Sequence, residues 1–240
     1  MSEVLLNINP SITDLNSVEE WLKDEYKLSN DGFYCNWNII QSSFEKEKFF
    51  TLHFEKQSIG FISWSNHDYY AEIDIMEIHP KFRKMGLGKK AFEAIKKYFK
   101  SEGKIALKLF CEPRESEKFW KKMGFIKFPT RGYSESELTY FIPLMEYNAP
   151  HNKDIDCADK IELWNVEPYM KDRTEPNWIW DAKLSCTELL FPILYPCNPN
   201  WNIRWSRNGK TIIEDKVKYF SRMNPIDFDP FIYINKLQKE

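Results

Sequence analysis

Alternation in period two and stripes in period 3.6 divide the chain into a regular succession of elements. Residues 4–8 read as a short strand closed by Asn9-Pro10, and Ser11-Ile12-Thr13-Asp14 then supplies caps for a helix whose stripe is Leu15, Val18, Trp21, Leu22 and Tyr26. Asn30-Asp31-Gly32 is a turn, and residues 36–46 are a candidate second helix. Residues 49–54 and 59–64 read as a hairpin about residues 55–58, and residues 69–78 alternate as a further strand. After Gly86 the apolar residues Leu87, Ala91, Ala94, Ile95, Tyr98 and Phe99 fall on one helical stripe. Residues 105–111 read as a buried strand, 115–122 as a helix, and Phe125 as the start of the next strand. Residues 137–145 read as the last strand of this region.

A polar, proline-containing stretch at residues 148–154 marks a change of character. Domains are therefore expected at 1–148 and 149–240. Beyond the boundary, residues 161–166, 178–180, 189–195, 201–205, 211–213 and 231–234 read as short strands, with Asn208-Gly209 as a hairpin turn. Trp164, Trp178, Trp180, Trp201 and Trp205 all lie here. Rings on short strands are most often core, so this part reads as a mainly β appendage, and its sequence resembles no family.

Composition narrows the classes. The chain has 240 residues, 42% of them hydrophobic and 29% charged, with a formal net charge of -2, which describes a globular protein and argues against broad nucleic-acid binding. Cys35, Cys111, Cys157, Cys186 and Cys197 are odd in number and scattered, as expected of reduced cysteines in a cytoplasmic protein. His53, His67, His79 and His151 lack metal-ligand spacing, so no metal site is expected. No basic-then-apolar leader and no long apolar run appear, so neither export nor a membrane span is expected.

Positive charge is nevertheless concentrated in one place. Between Lys81 and Lys100 stand Lys81, Arg83, Lys84, Lys89, Lys90, Lys96, Lys97 and Lys100 against the single acid Glu93. Gly86 and Gly88 open the helix there, so the backbone can turn sharply and bring N–H groups close to an anion at a positive dipole end. The loop has neither the third glycine of a dinucleotide fold nor Gly-x-x-x-x-Gly-Lys-Ser/Thr. What it has, Arg83-x-x-Gly86-x-Gly88 after a strand, resembles the pyrophosphate-binding motif of the GNAT superfamily of acyl-CoA-dependent N-acetyltransferases. Phe119-Trp120-Lys121-Lys122-Met123-Gly124-Phe125 resembles that superfamily's second signature. The resemblance covers about the first 145 residues and implies an α/β fold, a mixed and mostly antiparallel sheet flanked by helices. It also implies acetyl-CoA as acyl donor, held by Ile78, Arg83, Lys84, Met85, Gly86, Leu87, Gly88, Lys89, Lys90 and Trp120.

Acyl transfer to an amine requires the amine neutral, hence a base. Simple parity puts Ala71, Ile73, Ile75 and Glu77 on one face of the strand and Tyr70, Glu72, Asp74, Met76 and Ile78 on the other; a bulge would change which side chain points inward. Glu72 stands where histone-acetylating members of the superfamily carry a glutamate base, and Asp74 and Glu77 compete for the role. The resemblance also implies that a main-chain N–H at the strand end, at Ile78 or Glu77, polarises the acyl carbonyl. Many members protonate the departing thiolate with a tyrosine where this chain has Trp120, and Pro113 and Arg114 stand where an asparagine often opens the helix. Tyr133 and Tyr140 are substitutes to consider. Two functions follow: an N-acetyltransferase acting on a primary amine, small molecule or peptide, or a degenerate coenzyme-binding or regulatory protein whose β appendage binds a partner. The acids near the strand end lean toward a cationic acceptor.

Overall fold

The computed structural model describes residues 3–30, 32–132, 137–220 and 230–237. The chain divides into two compact units, Met1–Lys127 with Leu138–Met145, and Phe128–Glu137 with Glu146–Glu240.

The first unit is built on a seven-stranded sheet. Its strands are β1 (Leu5–Asn7), β2 (Phe49–Phe54), β3 (Gln57–Asn66), β4 (Tyr70–Ile78), β5 (Ala106–Phe110), β6 (Ile126–Lys127) and β7 (Thr139–Pro143), in the spatial order β1-β2-β3-β4-β5-β7-β6. Only β4 and β5 run parallel, joined across the sheet by helix α3 (Leu87–Ser101); every other pair is antiparallel. The fold is the mixed, mostly antiparallel α/β sheet flanked by helices that the sequence implies.

Helices cover both faces. On one lie α1 (Ile12–Ser29) and α2 (Trp37–Glu45), where Leu15, Val18, Leu22 and Ile40 bury themselves against Phe49, Phe61 and Ile75. A reciprocal cap starts α1: Ser11 Oγ accepts from the Asp14 N–H, and the Asp14 carboxylate accepts from the Ser11 N–H. Asn30 ends it in the left-handed region, its N–H bonded to the Tyr26 carbonyl. Asp31, the middle of the predicted turn, lies outside the described residues. The other face carries α3 and the short α4 (Glu117–Lys122), where Leu87, Ala91, Phe92, Ile95 and Phe99 pack with Ile62, Trp64, Ala71, Ile73 and Leu107. Phe92 was not on the expected stripe, because the buried arc of α3 is wider than a two-position seam.

The strand faces need one correction. Ser63 pairs with Ile75 while the next residue, Trp64, pairs with Ile73, so β4 carries one extra residue, Asp74, against β3. Ala71 and Ile73 therefore belong to the α3 core, whereas Ile75 belongs to the α1 core. Met76 and Ile78 return to the α3 side. Glu77 thus lies on the same face as Glu72 and Asp74, not opposite them as unbroken parity implies.

The second unit holds two small sheets. The strands β8 (Asp159–Trp164), β9 (Trp178–Asp181), β12 (Asn202–Arg207) and β13 (Lys210–Lys216) form one, ordered β13-β12-β8-β9, and β10 (Leu184–Ser185), β11 (Glu188–Pro196) and β14 (Phe231–Lys236) form the other, ordered β10-β11-β14. Asn208 and Gly209 both take positive φ, 48° and 74°, as the tight β12–β13 hairpin demands. Trp164, Trp180, Trp201 and Trp205 are buried and Trp178 stacks on Trp201 at 5.3 Å, so the tryptophans are core. The stretch read as a linker is partly held in this unit: the Asn148 N–H bonds Pro192, and His151 exchanges backbone bonds with Ile179. Alternation did not reveal β10 or the one-turn α5 (Val217–Phe220), both too short for a period to register.

Candidate functional site

The site of interest lies where β4 and β5 part. Their parallel pairing runs from Tyr70↔Ala106 to Ile73↔Leu109 and stops there. Beyond it, β5 stays with β7 through Phe110↔Thr139 and the Cys111 N–H to Leu138. β4 stays with β3 up to Gly60↔Ile78, and the His79 N–H bonds the Ile59 carbonyl at 2.8 Å. Antiparallel bonding alternates along a strand, so if His79 bonds toward β3, Ile75 and Glu77 do too, and the main-chain groups of Met76 and Ile78 point to the opposite edge. The Ile78 carbonyl agrees, since it accepts from Arg83 Nε at 2.7 Å. Strand contact is tight here: a β-carbon on Gly60 would stand 2.2 Å from the Glu77 carbonyl oxygen.

The chain then turns into the cradle. Pro80–Phe82 form a single 3-10 turn, with His79 Nδ1 accepting from the Lys81 N–H at 3.1 Å. Lys84 and Gly86 both adopt left-handed backbone, φ 62° and 76°, and Gly86 caps α3. A β-carbon on Gly86 would meet nothing within 4 Å, so the glycine is there for its backbone conformation and leaves the space above it open. Gly88 lies under the Phe119 ring, 3.5 Å from where its β-carbon would be, with Ile78 at 3.8 Å. The first-turn N–H groups of α3 have no intrahelical acceptor. Together with Lys84, Lys89 and Lys90, these groups suit the pyrophosphate of a coenzyme. Met85 is 61% exposed, and Leu87 is buried in the α3 core. Lys89 and Lys90 line a groove of 930 Å³ with Gly86, Val4 and Leu6.

Two expected cofactor residues are used otherwise. Arg83 turns its side chain away from the cradle mouth: Nη1 bonds Glu25 of α1 at 2.7 Å, Nη2 bonds Glu77 at 2.7 Å, and Nε holds Ile78. Trp120 is buried edge-on among Phe92, Phe119 and Phe125, with ring centroids 5.0 to 5.8 Å away. It is a core residue, and Phe119 is the ring that faces the glycine loop.

The three carboxylates share a face but not a state. Glu72 accepts two bonds from Lys108, at 3.0 and 2.9 Å, from the paired position on β5. Glu77 is buried, and desolvation together with the nearby Glu25 charge pushes its pKa up to about 8, against the pull of Arg83. At neutral pH it is mostly protonated. Asp74, the bulged residue, accepts from Ser65 Oγ at 2.8 Å; desolvation raises its pKa, and the Ser65 bond offsets part of that. Glu72 and Asp74 open into a pocket of 830 Å³ walled by Asn38 and Ser42 of α2, Lys46, Lys48 and Phe110. Sequence pattern had no means of showing Glu25, Ser65 or Lys108, because each meets its partner only through sheet and helix placement.

Among the described residues, neither Tyr140 nor Cys111 is a ready proton donor. Tyr140 is buried and donates to Glu117, and desolvation and that carboxylate drive its pKa above the ordinary tyrosine range. Burial pushes the Cys111 thiol up to about 11. Tyr133 lies outside the described residues. Among the described residues no group of three or more His, Cys, Asp or Glu is placed to hold a metal, and no helix is long and apolar enough to cross a membrane.

The model of the acetyltransferase (GNAT) family matches residues 15–125, and the chain beyond is unmatched by it. No curated protein matches the chain. Among solved structures, Ard1 from Thermoplasma volcanium is similar at 19% identity, covering 60% of this chain and 99% of its own, with a TM-score of 0.44. The PaiA N-acetyltransferase from Thermoplasma acidophilum, in complex with coenzyme A, is 19% identical over 57% of this chain and 96% of its own, with a TM-score of 0.42. A GNAT-family acetyltransferase from Bacillus anthracis is 18% identical over 60% and 99%, with a TM-score of 0.44.

Proposed function

We propose, on the premise that residues 15–125 match the GNAT acetyltransferase family, that the chain is a cytoplasmic N-acetyltransferase moving an acetyl group from acetyl-CoA to a primary amine by direct attack. The observation that carries this reading is the fork: strand β4 leaves β5 after Ile73, and main-chain groups of Met76 and Ile78 point into the gap beside the glycine cradle. Acetyl-CoA supplies a thioester carbonyl open to attack.

This chain's own residues divide the remaining work. Gly86, Leu87, Gly88 and Lys89 offer main-chain N–H groups to the diphosphate, with Lys84, Lys89 and Lys90 as countercharge. The Ile78 N–H polarises the acyl oxygen. Asp74 accepts the amine's proton: Glu72 is neutralised by Lys108 and Glu77 is already protonated, whereas Asp74 has a hydroxyl as its partner and faces the pocket. Buried Trp120 and the raised Tyr140 supply no acid, so the thiolate departs on its own modest basicity, about that of a thiol of pKa 8.5. The reading concerns residues 1–148.

The test begins with melting temperature with and without acetyl-CoA, beside Gly86→Glu. At a hundredfold over Kd the ligand adds about 2.7 kcal/mol, roughly 5 to 10 °C for a chain of this size. That shift, lost in the variant, is expected, followed by thiol release with an amine. No shift in a folded protein sinks the reading. A shift without thiol release for any amine leaves a coenzyme-binding protein instead.

A further inference from the structure

Two large apolar side chains stand open at the mouth of the fork. Ile73↔Leu109 is the last pair between β4 and β5, so Asp74 and Phe110 are the first residues past the split, one on each strand. They share a face of the sheet. Lys108 bonds Glu72 across it, Phe110 stands two residues on from Lys108, and Asp74 accepts from Ser65, whose pairing partner is Glu72. Phe110 is 41% exposed, and among the described residues its ring meets neither another ring nor a cation. Helix α2 contributes Ile39, 49% exposed, to the same pocket of 830 Å³. A lone exposed apolar residue is ordinary; two from separate elements beside one carboxylate make a lining.

The charge available in that lining is small. Lys108 cancels Glu72, whereas Asp74 has a hydroxyl as its partner and pairs with no cation among the described residues. Lys48 borders the pocket too, but its ammonium lies over the Trp64 ring, 4.6 Å from the centroid, and Trp64 belongs to the α3 core. We propose that Ile39 and Phe110 set the acceptor's specificity: a primary amine with a single charge, whose amine meets Asp74 and whose body beside the amine is an alkyl chain or a ring. This deepens the N-acetyltransferase reading and rests on it. It also narrows the cationic acceptor that the acids alone suggested, because one uncompensated carboxylate matches one ammonium. A second ammonium would be stripped of water against Ile39 and Phe110 with no counterion, and an acceptor carboxylate would meet Asp74 as a like charge. An apolar body instead leaves water together with both side chains.

The experiment follows thiol release from acetyl-CoA with three amines of one length that differ at the far end, hexylamine, aminocaproate and hexamethylenediamine, and with phenethylamine as the aryl case. Each is an alkyl amine with a pKa near that of lysine, about 10.4, so the neutral fraction does not decide the order. Melting with acetyl-CoA alone is the companion measurement. Hexylamine and phenethylamine are expected to show kcat/KM higher by about tenfold or more than the other two, chiefly through KM. Phe110→Ala and Ile39→Ser, on separate elements and both at exposed positions, are each expected to shrink that preference. Equal or better turnover of aminocaproate or the diamine by the wild type, or a preference unchanged in both variants, overturns the proposal and, with the melting shift intact, leaves the N-acetyltransferase reading standing. Absence of the melting shift, or of thiol release with every amine, overturns both.

Discussion

Arg83 donates from Nη2 to Glu77 Oε1 at 2.7 Å, although the arginine opens the cradle loop and the glutamate is next to last in the strand before it. The same guanidinium holds Glu25 of α1 and the Ile78 carbonyl, so one side chain ties helix, strand end and loop together. Two carboxyl groups, one cation and a raised pKa make this cluster the most pH-sensitive element near the fork.

The sign of that sensitivity is fixed by Glu77. Its folded pKa of about 8 is above its ordinary 4.5, so the fold favours the protonated form. The stability it contributes is complete below about 4.5 and is lost as pH rises through about 8, on the order of 5 kcal/mol at most. Melting temperature should therefore fall from pH 5 to pH 9 in the wild type. Glu77→Gln, which keeps the neutral shape, should flatten the fall and be the more stable protein at pH 9. An equally steep profile in the variant would assign the pH dependence to another group.

Truncating Arg83 should act on the fold before it acts on the coenzyme. Arg83→Ala removes the bonds to Glu25, Glu77 and the Ile78 carbonyl and is expected to cost about 1 to 3 kcal/mol. Lys84→Ala, at an exposed position, should cost little stability and mainly weaken acetyl-CoA binding. Urea unfolding of both, beside calorimetric titration of acetyl-CoA, separates the two effects.

Asp74→Asn is expected to lower kcat by about a hundredfold or more without loss of folding. Because desolvation raises the Asp74 pKa, the rate of the wild type should rise with pH through a value above the ordinary aspartate range, and that limb should vanish in the variant. Glu72→Gln, by contrast, frees Lys108 and should show its main effect on stability. A full loss of turnover in Glu72→Gln with Asp74→Asn active would exchange the two assignments.

Gly60→Ala should be among the most damaging small changes in the chain. The added carbon would stand 2.2 Å from the Glu77 carbonyl, and backbone cannot yield cheaply, so about 3 kcal/mol or more of stability should go. Gly86→Ala meets only open space and should cost about 1 kcal/mol, from its left-handed backbone. Thermal melts of the pair give the comparison directly.

Much of this was legible in the sequence, and the exceptions share a cause. Residues 49–54 read as a strand and are β2, the Ser11–Asp14 cap starts α1, and the strands of the second unit fall close to their expected places, because each is a matter of local period or local hydrogen bonding. The extra residue at Asp74 was hidden because helices cover both faces of the sheet. Ala71, Ile73 and Ile75 are buried whichever face they join, so hydrophobicity carries no trace of the switch. The partnerships at the site were hidden by distance along the chain: Glu25 lies 58 residues before Arg83, and Glu72 lies 36 before Lys108. Trp120 shows the converse, a residue placed by motif at the coenzyme and by packing in the core.

The bulge in β4 also decides which mutations speak to each other. Ile73 and Ile75 are two apart on one strand, a spacing at which side chains ordinarily share neighbours and their truncations couple. Here one belongs to the α3 core and the other to the α1 core. The energies of Ile73→Ala and Ile75→Ala should consequently add, as they do for remote sites. Each should instead show epistasis with residues far away in sequence, Ile73 with Phe99 and Ile75 with Leu22. The strand joins two cores through its backbone while keeping their side-chain energetics apart.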